Sequence, residues 1–232
     1  MEAVIGIIGA MDEEIKLLLE NMDHSEAVSK AGITYYKGTI GGKSIVVSKS
    51  GVGKVNAAVT TQILIDTFGA KKVLFTGVAG ALHPDLEVGD IVISSECLQH
   101  DMDVTALGFP RGVIPFQEAS EFPADPELVL LAEKVCRDMG VRYVTGRVLS
   151  GDQFIASQES VAMLREQLGG ACAEMEGAAL AQVCYMNEIP FVVIRSMSDK
   201  ADGSANISFT EFTETASRQS HEILSGILSK LH

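Results

Sequence analysis

The stretch Ala173-Glu174-Met175-Glu176-Gly177-Ala178-Ala179 sets two carboxylates two residues apart in a run otherwise made of small and apolar groups. In an extended backbone side chains alternate faces, so Glu174 and Glu176 point one way and Met175 the other. Carboxylates gathered in one place can stabilise developing positive charge or move a proton. They can equally be exposed edge residues, or acids favoured by the helix that the small residues from Gly177 to about Asn187 predict.

A third acid has a similar setting. Met11, Ile15, Leu18 and Met22 recur at spacings of four, three and four, which makes one helical stripe. Glu14 sits beside that stripe, whereas Asp12, Glu13, Lys16 and Glu20 fall on the other faces, so Glu14 is the acid expected to look inward; a first-turn glutamate can also serve the helix dipole alone. The apolar run Phe191-Val192-Val193-Ile194 breaks at Arg195-Ser196-Met197-Ser198-Asp199, which places charge where a strand is expected to leave its sheet. Arg195 needs an anionic partner if it is buried.

Glycine-bearing turns stand between these groups. Ser50-Gly51-Val52-Gly53-Lys54 resembles a phosphate loop, but a Walker A motif needs glycine where Ser48 stands and Ser or Thr at Val55. Gly6-Ile7-Ile8-Gly9 likewise lacks the first glycine of a dinucleotide fingerprint. Gly77-Val78-Ala79-Gly80-Ala81 reads as a small-residue loop after the strand Lys72–Thr76, the position at which open α/β sheets bind ligands. Ser150-Gly151-Asp152-Gln153-Phe154 is another strand exit, whose Phe154 can stack on a base or plug the core. His100-Asp101-Met102-Asp103 does not make a convincing metal triad and reads as a hydrogen-bonded cluster.

The elements that must position these groups alternate between strand and helix. Val4–Ile8, Lys72–Thr76 and Phe191–Ile194 are apolar without alternation, as strands covered on both faces are. Thr34–Ile40 and Lys43–Lys49 flank Gly41-Gly42 as an antiparallel hairpin. Ile91–Gln99 and Tyr143–Leu149 add strands, and helices are expected over Val55–Phe68, Leu128–Met139 and a last segment opening on Ser208 and Glu211 in capping-box spacing. Gly108 to Pro126 lacks periodicity and is a candidate lid or interface loop. The pattern predicts one α/β domain over residues 1–232: a central mixed sheet between two helical layers, α/β/α.

Composition narrows the ligand. The 232 residues are 47% hydrophobic, with a net charge of −13 and a mean hydropathy of +0.22. Nucleic acid is a poor partner for so acidic a chain. No apolar run approaches the roughly 20 residues of a membrane span, and neither a signal peptide nor CxxC spacing is visible, which suits a reduced cytosolic protein. A small molecule is the expected ligand.

Taken in order, Ile5 to Glu14, Ser50 to Lys54, Thr76 to Gly80, Ser150 to Phe154, Ala173 to Gly177 and Arg195 to Asp199 resemble the bacterial 5′-methylthioadenosine/S-adenosylhomocysteine nucleosidases, essentially end to end. The resemblance implies a nucleoside phosphorylase-like fold, a homodimer, and cleavage of an adenine N-glycosidic bond by water without cofactor or metal, in methionine salvage. It also implies roles. Glu14 would activate the water with Arg195 nearby, Glu176 flanked by Met175 would bind the ribose, and Asp199 supported by Ser198 would serve purine N7. Phe154 would stack on adenine while the backbone at Ile155 reads the base edge, and Val78, Ala79 and Gly80 would border the pocket. Val52, Phe209 and, from a second copy, residues near Leu107 and Pro115 would shape the site for the 5′ substituent. Val78 departs from the serine of some members.

The resemblance leaves three rivals. A purine nucleoside phosphorylase shares the fold but must hold phosphate, preferably with arginines, and only Arg195 is expected near the site. A non-catalytic nucleoside-binding protein has no need of Glu14, Glu176 and Asp199 together. A hydrolase of futalosine-type nucleosides differs only in pocket residues.

Overall fold

The computed structural model describes residues 3–200 and 205–231, the side chains of 205–211, 213 and 214 excepted. The chain runs β1 (Val4–Gly9), α1 (Asp12–Glu20), β2 (Asp23–Lys30), β3 (Ile33–Ile40), β4 (Lys43–Lys49), α2 (Lys54–Phe68), β5 (Ala70–Ala81) and β6 (Ile91–Gln99). A 3-10 turn at Thr105–Leu107 precedes β7 (Glu121–Pro123), α3 (Pro126–Met139), β8 (Tyr143–Ser150) and α4 (Gln158–Leu168). The last elements are β9 (Gly170–Glu174), α5 (Gly177–Met186), β10 (Phe191–Asp199) and α6 (Ala205–Lys230).

The sheet is mixed, as its sequence predicts. β1 lies between β4 and β5, parallel to both, and β3 returns on β4 as the antiparallel hairpin. Beyond β5 the strands curl round. β5 pairs with β10, β10 with β6, β6 with β8, β8 with β9, and β9 again with β5, so five strands close a ring.

Both faces of the sheet are covered. Val73, Phe75 and Val193 pack with Leu64 of α2 and Leu180 and Cys184 of α5, while Leu74, Val192 and Ile194 pack with Ile15 of α1, Leu128 of α3 and Ile223 of α6. Neighbours in a strand thus serve opposite cores, which is why these runs are apolar at every position. Sheet and helices make the expected three layers.

Several local expectations change. Gly77–Ala81 is not a loop: β5 continues through it to Ala81, and its small side chains let β10 pair on one side and β9 on the other. β10 likewise does not end at Arg195 but runs buried to Asp199, with Arg195 in register with Gly77. The ring explains both, because it places the ends of these strands inside the protein, where polar groups can face a cavity. β2 carries no apolar pattern, since it is an edge strand with mostly exposed side chains paired only to β3. α4 is capped by Ser157, whose hydroxyl accepts the Ser160 amide at 3.2 Å. The long irregular stretch contains short β7, antiparallel to β6. α6 begins at Ala205, ahead of Ser208; the side chains of Ser208, Phe209 and Glu211 lie outside the described residues.

Candidate active site

The turn from β1 into α1 sets the first acid. Glu14 is only 4% exposed and folds back over the start of its own helix, accepting the amides of Ala10 at 2.5 Å and Met11 at 3.0 Å. Its other oxygen, Oε1, accepts the Val78 amide of β5 at 3.1 Å. Burial pushes the carboxyl's pKa above its ordinary value, against Arg195 and the three amides.

The link between β9 and α5 sets the next two. Glu174 accepts the Gly177 amide at 2.8 Å, the Ser150 hydroxyl, and Nη2 of Arg195 at 2.5 Å. Glu176 lies 4.0 Å from the same Nη2 and accepts the Gly53 amide at 2.7 Å. Burial, and after it the negative charge of Glu174, push the Glu176 carboxyl up to about 8. Both acids reach a single cation, but not by strand alternation: β9 ends at Glu174, the backbone bends at Met175 and Glu176, and Met175, expected on the opposite side, lines the cavity beside them.

That cation is Arg195, 1% exposed, with its guanidinium carbon 3.9 Å from the centre of the Phe75 ring. Burial opposes its charge, but Glu174, Glu14 and Glu176 together hold the guanidinium protonated. Its Nε and Nη1 have no hydrogen-bond partner among the described residues. The absence of a side chain at Gly77 makes room here: a Cβ on it would stand 2.4 Å from Arg195 Nη1 and 2.6 Å from Glu14 Oε1.

These groups surround a cavity of about 310 Å³ lined by Glu14, Val52, Val78, Ala79, Gly80, Phe154, Ile155, Met175, Glu176, Ser198 and Asp199. Asp199 is buried and accepts the Ser198 hydroxyl at 2.8 Å. Phe154 is 50% exposed on the cavity wall, so it is not a core plug. Arg195 is near the site as expected, although it is not on the described lining and reaches it through the carboxylates of Glu174 and Glu176. Leu107 and Pro115 are also off the lining, and Leu107 is 75% exposed.

Further residues belong to the site. Ala10, Met11, Gln153, Ala173 and Glu174 complete the wall. Glu174 stands in the acid pair that opens the sequence argument, yet only its bonds to Arg195 and α5 reveal it as the anchor of the buried cation. Lys54, the lysine of the false phosphate loop, donates to Asp101 at 2.6 Å and Gln99 at 3.0 Å instead of facing the cavity. Lys54 and Asp101 therefore belong to a hydrogen-bonded cluster, whereas Nε2 of His100 has no hydrogen-bond partner among the described residues, and no group of three potential metal ligands occurs among them.

Chemically, the cavity offers carboxyl groups at Glu14, Glu176 and Asp199 within mostly apolar walls, and no lysine or arginine among its described lining residues. Such a site favours a neutral ligand that gains positive charge as it reacts.

Known proteins resemble this chain in sequence and fold. The sequence pattern of the phosphorylase superfamily matches residues 4–229. A 5′-methylthioadenosine/S-adenosylhomocysteine nucleosidase of Bacillus cereus is 41% identical over 229 residues, 98% of this chain and 99% of the relative. The Neisseria meningitidis nucleosidase of the same name, solved with methylthio-immucillin-A, superposes with a TM-score of 0.95 at 43% identity, covering 98% and 99% of the two chains. A futalosine hydrolase of Helicobacter pylori superposes equally well, TM-score 0.95 at 38% identity over 99% of this chain and 98% of that one.

Proposed function

The chain belongs to the 5′-methylthioadenosine/S-adenosylhomocysteine nucleosidases of the phosphorylase superfamily, and on that premise we propose that Glu14 activates the attacking water, Glu176 holds the ribose and Asp199 serves the departing adenine. The enzyme is an N-glycosyl hydrolase. It splits a 5′-substituted adenosine into adenine and the 5-substituted ribose. As the bond from C1′ to N9 breaks, its electron pair leaves with the purine and positive charge grows on the ribose. Asp199 passes a proton to N7, which neutralises the leaving base. Glu14 takes a proton as the water oxygen bonds to C1′, and its raised pKa makes it a stronger base than an ordinary carboxylate.

Glu176 responds to the reaction. Burial and the charge of Glu174 raise its pKa, while positive charge on a neighbouring ribose favours its ionised form, and the carboxylate in turn stabilises the transition state. Arg195 stays behind as the fixed cation that lets three acids share one wall. Phe154 stacks on adenine and the backbone at Ile155 reads its edge, while Val52 and Met175 surround the 5′ substituent and the apolar sides of the ligand.

The observation that carries this reading is the convergence of Glu14, Glu176 and Asp199 on one cavity with no basic residue among its described lining. A phosphorylase needs a cationic cage for phosphate there. The likeness to a futalosine hydrolase keeps aminodeoxyfutalosine among the substrates to be tried. Turnover of methylthioadenosine, adenosylhomocysteine and aminodeoxyfutalosine, with and without phosphate, tests the assignment. Phosphate-independent release of adenine is expected; no release from any of the three contradicts it.

The whole chain acts as one domain and pairs as a homodimer in this reading. Phe116 is 92% exposed beside Phe109, and α2 and α5 expose Val55 and Met186. Leu107 and Pro115 of a second copy then close the 5′ end of the pocket. Four buried free thiols fit the reducing cytoplasm, where the enzyme clears by-products of methyl transfer and feeds methionine salvage.

A further inference from the structure

Three chain segments meet beside the cavity without lining it. Asp152, exposed at the start of the loop that carries Phe154, accepts the backbone amide of Lys54 on Oδ1 at 2.8 Å. Its own amide donates to Asp101 Oδ2 at 2.9 Å, and Asp101 Oδ1 accepts Nζ of Lys54 at 2.6 Å. The circuit is closed: Lys54 to Asp152, Asp152 to Asp101, Asp101 back to Lys54. The residue before Lys54 is Gly53, whose amide donates to Glu176, and a Cβ on Gly53 would stand 3.1 Å from Asp152 Oδ1. Gly53 also has φ of +99°, a conformation that a side chain disfavours.

We propose that Asp152, with Lys54 and Asp101, is a positioning latch that ties the Phe154 wall of the cavity to the Gly53 turn and so sets the Gly53 amide on Glu176. The latch rests on the assignment of Glu176 to the ribose. It acts through others: none of its three residues is on the described lining. The Lys54–Asp101 pair is largely buried, with side chains 18% and 15% exposed. Against burial, which raises it, the Lys54 ammonium and the Asp152 amide hold the Asp101 pKa below its ordinary value. Asp152 is the exposed closing link and can be changed with least risk to the fold.

The test compares Asp152→Ala with Asp152→Asn in the full-length enzyme. Three quantities are read: amide hydrogen exchange at Gly53 without ligand, KM and kcat for methylthioadenosine, and the thermal midpoint. Losing one positioning hydrogen bond is worth about tenfold. Asp152→Ala should therefore speed Gly53 exchange and raise KM about tenfold, with kcat falling less and the midpoint nearly unchanged. Asp152→Asn keeps an oxygen for the Lys54 amide and should restore both. Wild-type exchange in the alanine variant overturns the latch, and so does a KM defect that asparagine does not rescue. Faster exchange with an unchanged KM overturns its positioning role. Should the wild type cleave no nucleoside, the functional assignment falls instead, and Gly53 exchange still decides whether the latch exists.

Discussion

Glu14 in the first helix and Val78 in the fifth strand are joined by a hydrogen bond of 3.1 Å, Val78 amide to Glu14 Oε1. The bond fixes the carboxylate beside Gly77, across whose bare Cα stands the unpartnered Nη1 of Arg195. A water held there would have an acceptor on one side and a donor on the other.

Gly77→Ala tests this arrangement. Its new Cβ falls 2.4 Å from Arg195 Nη1 and 2.6 Å from Glu14 Oε1, contacts too close to be met without displacement. Misplacing a reacting group by about 1 Å can cost on the order of 10²-fold in rate. We expect kcat for methylthioadenosine to fall by about that factor while methylthio-immucillin-A still binds, with circular dichroism reporting the fold. Wild-type kcat in this variant would move the water elsewhere. Glu14→Gln, which removes the base but keeps the volume, should abolish turnover and retain inhibitor binding.

Glu176 makes a prediction about stability. Its folded pKa of about 8 lies above the ordinary 4.5, so the protonated form is favoured by folding. That contribution is fully present below the unfolded value and is lost as pH rises through the folded one. Between about pH 6 and about pH 8 the ligand-free wild type should lose roughly 2 kcal/mol through this group alone. Glu176→Gln, which cannot ionise, should therefore gain stability relative to wild type as pH rises over that range. Denaturant unfolding at the two pH values measures it. A difference between variant and wild type that does not change with pH would mean Glu176 is ionised throughout.

Asp199 is separated from a structural role by the leaving group. General acid catalysis contributes about 10²- to 10⁴-fold and matters only when the leaving group is poor. Asp199→Asn should cripple cleavage of methylthioadenosine but lose far less on a nitrophenyl riboside that binds. Equal losses on both would reassign Asp199 to holding Ser198 and the end of β10.

Much of this was legible in the sequence where one residue's neighbours decide its place. The stripe Met11, Ile15, Leu18 marked Glu14 as the acid expected to look inward, and the spacing of Glu174 and Glu176 marked them as a pair, although a bend after β9, not strand alternation, brings both to Arg195. Unbroken apolar runs announced strands with two covered faces. What failed to show depends on contacts distant in sequence. Gly77–Ala81 looked like a loop because glycine and alanine usually end strands, but here they admit two neighbouring strands at once. Arg195 looked like a strand exit because a buried cation is costly until its anions are known, and those come from Glu174 and Glu176, about twenty residues upstream. Strand β2 had no signal because an exposed edge needs none.

The central claim, that water and not phosphate takes the ribose, is read most directly by the fate of labelled oxygen. Methylthioadenosine is cleaved in H₂¹⁸O buffered with phosphate, and the sugar product is examined by mass spectrometry at early times, with controls for exchange at the free anomeric carbon. The account predicts free methylthioribose carrying one ¹⁸O at C1, formed at the same rate whether or not phosphate is present. A sugar 1-phosphate without the label, or a rate that rises with phosphate, would contradict it.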